Sequence, residues 1–177
     1  MNTRGKHATD DRLLRAYLRM LEYVRTLAER ADRQASPALR QLIDAAEVKM
    51  IELQELTREE AVKIGAWVGR DLEDAAAYLN RPQNRELIDW LKFDLDLIES
   101  RLLELFTSVA DRTRIEQLTL EQQAAPVSDY RTGEVTGIGT LYCTACGEAV
   151  RFTAIAHIPP CPRCRGTTFT RGADNKA

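Results

Sequence analysis

Cys143-Thr144-Ala145-Cys146 and Cys161-Pro162-Arg163-Cys164 contain every cysteine of the 177-residue chain. Two Cys-x-x-Cys turns can present four thiolates at the corners of a tetrahedron, which is what a structural zinc ion requires. The 14 residues from Gly147 to Pro160 separate the pairs. That length accommodates one β-hairpin, so the spacing predicts a zinc ribbon. Cys143, Cys146, Cys161 and Cys164 are its metal ligands, and one structural Zn2+ ion is the expected cofactor.

The turns themselves carry conformational demands. The residue after the second cysteine of such a knuckle often needs a positive φ, which Gly147 supplies without steric cost. Arg165 occupies the matching place in the second pair, with Gly166 one residue later. A left-handed arginine costs about 1–2 kcal/mol, small beside the roughly 10–16 kcal/mol of structural zinc binding. Four free thiols would leave the paired spacing unexplained, and disulfides conflict with a reducing compartment. A thioredoxin-like redox pair would need a βαβ setting and only one Cys-x-x-Cys. Iron in a rubredoxin-like site satisfies the same four thiolates. His157 is better placed on a loop of the hairpin than in the ligand set, because structural sites close at four ligands.

Around the cysteines the vocabulary is that of short strands. Val135, Thr136, Ile138, Leu141 and Tyr142 suit one strand, Val150–Ile155 a second and Thr167–Thr170 a third. Their core is thin, with Tyr142, Phe152, Ile155, Ile158 and Phe169 as contributors, so metal must supply much of the folding energy.

Upstream of Pro126 the pattern is helical. Leu14, Tyr17, Leu21, Val24, Ala28 and Ala31 recur at spacings of three and four, behind Asp10 as a candidate N-cap. Ser36-Pro37 marks a stop and restart before Leu39, Leu42, Ala46, Met50 and Leu53. Thr57-Arg58-Glu59-Glu60 resembles a capping box that starts a third helix, although one helix continuing through Thr57 fits nearly as well. Ala61, Ile64, Val68, Leu72, Ala75 and Leu79 extend the stripe, and Leu91, Leu95, Ile98, Leu102, Leu105 and Val109 form a strict coiled-coil seam. Trp67 and Trp90 read as packing residues at the seam edges. The expected architecture is mainly α: a long antiparallel helical hairpin or coiled-coil bundle over residues 10–125, then a small C-terminal β zinc ribbon over 126–171. Flexible ends at 1–9 and 172–177 complete the division.

Composition narrows function by exclusion. The formal net charge of −2 divides into −4 through Ala125 and +2 from Pro126 onward. Neither half is a strong polyelectrolyte, so nucleic acid is a weakly supported partner. Arg151, Arg163, Arg165 and Arg171 read as solubilising, and the acidic residues as solvated helix faces. No apolar run reaches transmembrane length and no signal-peptide h-region precedes Asp10, so a cytoplasmic protein without a membrane partner is expected. With only His7 and His157, and neither a phosphate loop nor a nucleophile triad, the chain is expected not to be an enzyme.

The segments Tyr130–Cys143 and Cys161–Cys164, with Glu55–Glu60 and Gly69–Asp74 in the helices, make the chain resemble the YbeL-like zinc-ribbon-containing proteins of bacteria. The likeness runs from about Glu55 to Arg171. It implies the four cysteines as zinc ligands and a helical region ending in a C-terminal ribbon. The family pattern has Gly directly after the second knuckle, where this chain has Arg165. That family is of unknown function, so the resemblance implies architecture and no activity. The reading that follows is a non-enzymatic adaptor binding another macromolecule, with protein favoured and a homodimer through the seam left open. Two alternatives stand beside it: a transcription accessory factor acting on RNA polymerase, DksA-like in outline, and a redox sensor that loses zinc on thiol oxidation.

Overall fold

The computed structural model describes residues 3–30, 38–79 and 129–171. The seam from Leu91 to Val109, Trp90 and the Ser36-Pro37 restart lie outside these. Within them the element order is α1 (Thr3–Arg30), α2 (Leu39–Glu52) and α3 (Arg58–Leu79), followed by six short strands. The strands are β1 (Tyr130–Arg131), β2 (Val135–Thr136), β3 (Gly139–Cys143), β4 (Ala149–Phe152), β5 (Ala156–His157) and β6 (Thr168–Arg171). α1 begins at Thr3, so Asp10 lies inside the helix and does not cap it.

The three- and four-residue spacings become one core. Tyr17, Leu21, Val24 and Ala28 of α1, Leu42, Ala46 and Met50 of α2, and Ala61, Ile64, Val68 and Leu72 of α3 are all buried together, with Trp67 beside them. Leu53, expected in the α2 stripe, is 45% exposed instead. The reason is the break at Gln54, where φ is +56°. The Gln54 N–H donates to the Ile51 carbonyl and the Glu55 N–H to the Met50 carbonyl, at 2.9 and 3.0 Å, forming a Schellman ending. The capping box then opens α3: the Thr57 N–H donates to Glu60 Oε2 at 3.0 Å and the Glu60 N–H to Thr57 Oγ1 at 3.3 Å. The choice between a break and a continuous helix is thereby resolved in favour of the break.

α2 and α3 approach closely because Gly65 has no side chain. A Cβ there would fall 2.1 Å from Glu47 Oε1. Glu47 is buried, and that oxygen accepts no hydrogen bond among the described residues. Burial raises the Glu47 carboxyl above its ordinary value, with Arg40 opposing and Asp44 adding to the shift. A raised acid is bound to its proton more tightly in the folded state, so stability falls as pH rises from the ordinary to the raised value. Glu47→Gln is therefore expected to stabilise the protein at pH 7. The advantage over wild type should shrink as pH drops through the carboxylate range, measured as the difference in urea midpoints at each pH.

The ribbon has two sheets. One is four-stranded in the order β1-β6-β3-β4 and the other pairs β2 with β5; every pairing is antiparallel. The strand expected from Val135 to Tyr142 is split at Gly137-Ile138 into β2 and β3, which enter different sheets. Nor do residues 147–160 make a hairpin of their own: β4 folds back on β3 across the first knuckle, and β5 turns to β2. Tyr130, Leu141, Phe152, Ile158 and Phe169 fill the small ribbon core. Val135, Ile138 and Ile155 face the other way and join the helical core, so ribbon and helices share apolar packing.

Candidate metal centre

The two knuckles are built alike. In the first, the Gly147 N–H donates to the Cys143 carbonyl at 2.8 Å, and the Cys143 N–H donates to the Glu148 carbonyl at 2.9 Å. In the second, the Arg165 N–H donates to the Cys161 carbonyl and the Cys161 N–H to the Gly166 carbonyl, both at 2.9 Å. Gly147 and Arg165 hold φ of +71° and +62°, so both knuckles need the left-handed residue that the spacing called for. Arg165→Gly should relieve that strain and raise the unfolding free energy by about 1–2 kcal/mol. A shift of the denaturant midpoint with unchanged slope would register it.

The four sulfurs converge. All Sγ atoms lie within 4.8 Å of one another. Contacts between the knuckles include Cys143 to Cys164 and Cys146 to Cys161, each 3.6 Å. A Zn–S length of about 2.3 Å implies a tetrahedral edge of about 3.8 Å, so the donor set fits the ion in both chemistry and size. Cys143 and Cys161 are buried, whereas Cys164 is exposed. Backbone groups also prepare the sulfurs for a cation. Burial pushes the Cys161 thiol up, but N–H groups of Cys164 and Arg163, with Cys146 and Cys164 as thiol partners, outweigh it and bring it down to about 7. For Cys146 the Glu148 N–H lowers the thiol, yet hydrogen bonds to its three neighbours and burial push it up to about 12. Four thiolates this close need a cation to lose their last protons. His157 is no part of the cluster; its Nδ1 lies 3.1 Å from the Gly133 carbonyl it donates to.

A family model described as a zinc-ribbon containing domain matches residues 26–173. The chain belongs to this family. Among curated relatives it is similar to the uncharacterized protein YbeL of Escherichia coli K12, 27% identical over 150 residues that cover 85% of this chain and 91% of the relative. The same figures hold for YbeL of Escherichia coli O157:H7 and O6:H1. No solved structure matches. Zinc-ribbon membership, the four converging thiols and their spacing agree on zinc as the metal these residues would hold. No helix among the described residues is long and apolar enough to cross a membrane.

A second constellation escaped the sequence reading. Asp71 of α3 is fully buried. Its carboxylate accepts from Tyr17 Oη at 2.5 Å, from the Gly137 N–H at 2.6 Å and from Thr136 Oγ1 at 3.3 Å. Arg171 Nη2 reaches Asp71 Oδ1 at 3.5 Å and Thr136 Oγ1 at 2.7 Å, while its Nη1 donates to the Ile138 carbonyl at 2.8 Å. Beside it, the Tyr130 hydroxyl donates to Asp74, and Arg70 Nη1 donates to Glu134 Oε2 at 2.7 Å and to the Asp129 carbonyl at 3.1 Å. The Arg70 and Arg171 guanidiniums lie 3.7 and 5.1 Å from the centre of the Tyr130 ring.

These interactions correct two expectations. Arg171 does not merely solubilise the ribbon, and Asp71 is no part of a solvated helix face. Burial, then the Asp71 charge and its hydrogen bond, raises the Tyr17 hydroxyl well above its ordinary value. Burial also raises Asp74, against the Tyr130 hydrogen bond and Arg171. For Arg171, burial would lower the pKa, but Asp71, Tyr130 and Asp74 more than offset it. One signal was present in the sequence: Asp71 continues the stripe of Ile64 and Val68 three residues on, which places a carboxylate on the buried face.

Proposed function

We propose that the protein is a non-enzymatic adaptor that binds another macromolecule, with protein preferred, and that one zinc ion held by Cys143, Cys146, Cys161 and Cys164 keeps its ribbon folded. The observation that carries this reading is the closed donor set: four converging thiols leave no coordination position for a substrate or a water nucleophile. The buried ionisable groups support it. Among the described residues, Asp71, Asp74, Arg70 and Arg171 pair with one another and with ribbon groups. The heptad spacing from Leu91 to Val109 supports a coiled-coil extension of the helical body, formed within the chain or with a second copy.

The test is affinity purification of the full-length protein from its native host after nuclease treatment, with identification of what remains bound. A protein recovered in every preparation and lost when zinc is chelated under reducing conditions is the expected result. No shared partner across preparations would overturn the adaptor reading, and recurrent RNA polymerase subunits would replace it with the transcription reading.

A further inference from the structure

We propose that metal occupancy at the four cysteines is coupled to closure of the helical core through Arg171 and Asp71, so that α1 and α3 register the metal although no helix supplies a ligand. Among the described residues, three of the four groups that donate to the Asp71 carboxylate belong to the ribbon: the Gly137 N–H, Thr136 Oγ1 and Arg171 Nη2. Tyr17 is the donor that the described helices supply. Arg70 lies 3.9 Å away through Nε, but its hydrogen bonds are directed to Glu134 and the Asp129 carbonyl, both also in the ribbon segment. With the ribbon unseated, a carboxylate inside the helical core would keep one neutral donor and lose its main cation. A buried charge in that condition draws in water or a proton, and either loosens the packing of Tyr17 against α3.

Arg171 is in turn positioned by the metal end of the ribbon. It is the last residue of β6, the strand that follows the second knuckle. β6 pairs with β3 so that Phe169 opposes Cys143 and Arg171 opposes Leu141. Two residues along the strand therefore separate a metal ligand's register from the guanidinium that meets Asp71. The head of Arg171 passes Gly139, where a Cβ would lie 2.7 Å from Nη1, so its path tolerates little displacement. The ribbon core is too small to hold this register without the metal cross-link. Release of the ion thus frees β6, withdraws Arg171, and leaves Asp71 to destabilise α1 and α3 from within.

Coupling free energies are reciprocal, so Asp71 and Arg171 must also tune metal affinity without touching the metal, by a factor of about 10 if the coupling is of ordinary size. This proposal is independent of what the protein binds and rests only on zinc at the four thiols. Zinc stoichiometry measured on the same samples checks that premise separately.

The experiment is hydrogen exchange on the full-length chain, zinc-loaded and zinc-stripped under reductant, with zinc affinity measured by competition against a chromogenic chelator. In wild type, stripping zinc should speed exchange about 10-fold or more at Ala61–Leu72 and Ala16–Ala28, besides opening the ribbon. In Asp71→Asn, a neutral amide needs no cation, so the stripped helices should exchange several-fold more slowly than stripped wild type. Arg171→Met should bind zinc about 10-fold more weakly. Equal helix exchange in loaded and stripped wild type would overturn the proposal even if neither variant folds. So would stripped Asp71→Asn helices that open as fast as wild type, or an unchanged zinc affinity in Arg171→Met.

Discussion

Cys143→Ser, and separately Cys161→Ser, is expected to abolish stoichiometric zinc binding and unfold the segment from Tyr130 to Arg171. The ribbon core has five large buried side chains, Tyr130, Leu141, Phe152, Ile158 and Phe169, four of them in strands of two to five residues and Ile158 just past β5. Structural zinc contributes roughly 10–16 kcal/mol in comparable small modules, more than such a core can replace. Serine at either position loses the thiolate, and both cysteines are buried where no water can take its place without cost. Acid should act in the same direction. The ligands must be deprotonated to bind, so protons compete with zinc and affinity falls as pH falls. Metal content after purification, together with protease resistance of the C-terminal segment, reads the outcome. Full zinc content in Cys161→Ser with an intact ribbon would remove that residue from the ligand set.

The sequence announced this site because knuckle chemistry is local. Two cysteines three residues apart, a glycine or its costly substitute after them, and a proline-stiffened second turn are all properties of short peptides. Arg165 shows how far that goes: its left-handed backbone follows from turn geometry alone. The capping box at Thr57 was legible for the same reason, as were the stripes from Tyr17 to Ala28 and from Ala61 to Leu72. The strands were less so. Which partner β2 and β5 would choose depends on the helical surface that Val135, Ile138 and Ile155 bury, and no local pattern encodes it.

The stripe marks Asp71 as buried, but its partners were illegible for a further physical reason. A carboxylate is stable in a core only when its donors arrive from elsewhere, and Asp71 takes them from residues 54 to 100 positions away. Two of the four stretches that carried the family resemblance, Gly69–Asp74 and Tyr130–Cys143, face each other here. Arg70, Asp71 and Asp74 on one side meet Tyr130, Glu134, Thr136 and Gly137 on the other. What looked like two separate signatures is one interface.

Arg171→Met should therefore lower the unfolding free energy of the zinc-loaded protein by about 3–5 kcal/mol, the cost of leaving one member of a buried ion pair alone. A surface pair would lose about 1 kcal/mol or less, so the two readings of Arg171 predict different numbers. Methionine keeps much of the apolar stem, and removes the guanidinium beside Tyr130 with its donors to Asp71, Thr136 and the Ile138 carbonyl. The decisive comparison is a double-mutant cycle with Asp71→Asn, measured from denaturant midpoints with zinc in excess. If the penalty arises from an uncompensated Asp71 charge, the double variant should recover a large part of what Arg171→Met loses. Additive losses would locate the cost in packing around Tyr130 instead, and would make Arg171 a filler of space where its geometry argues for a counter-charge.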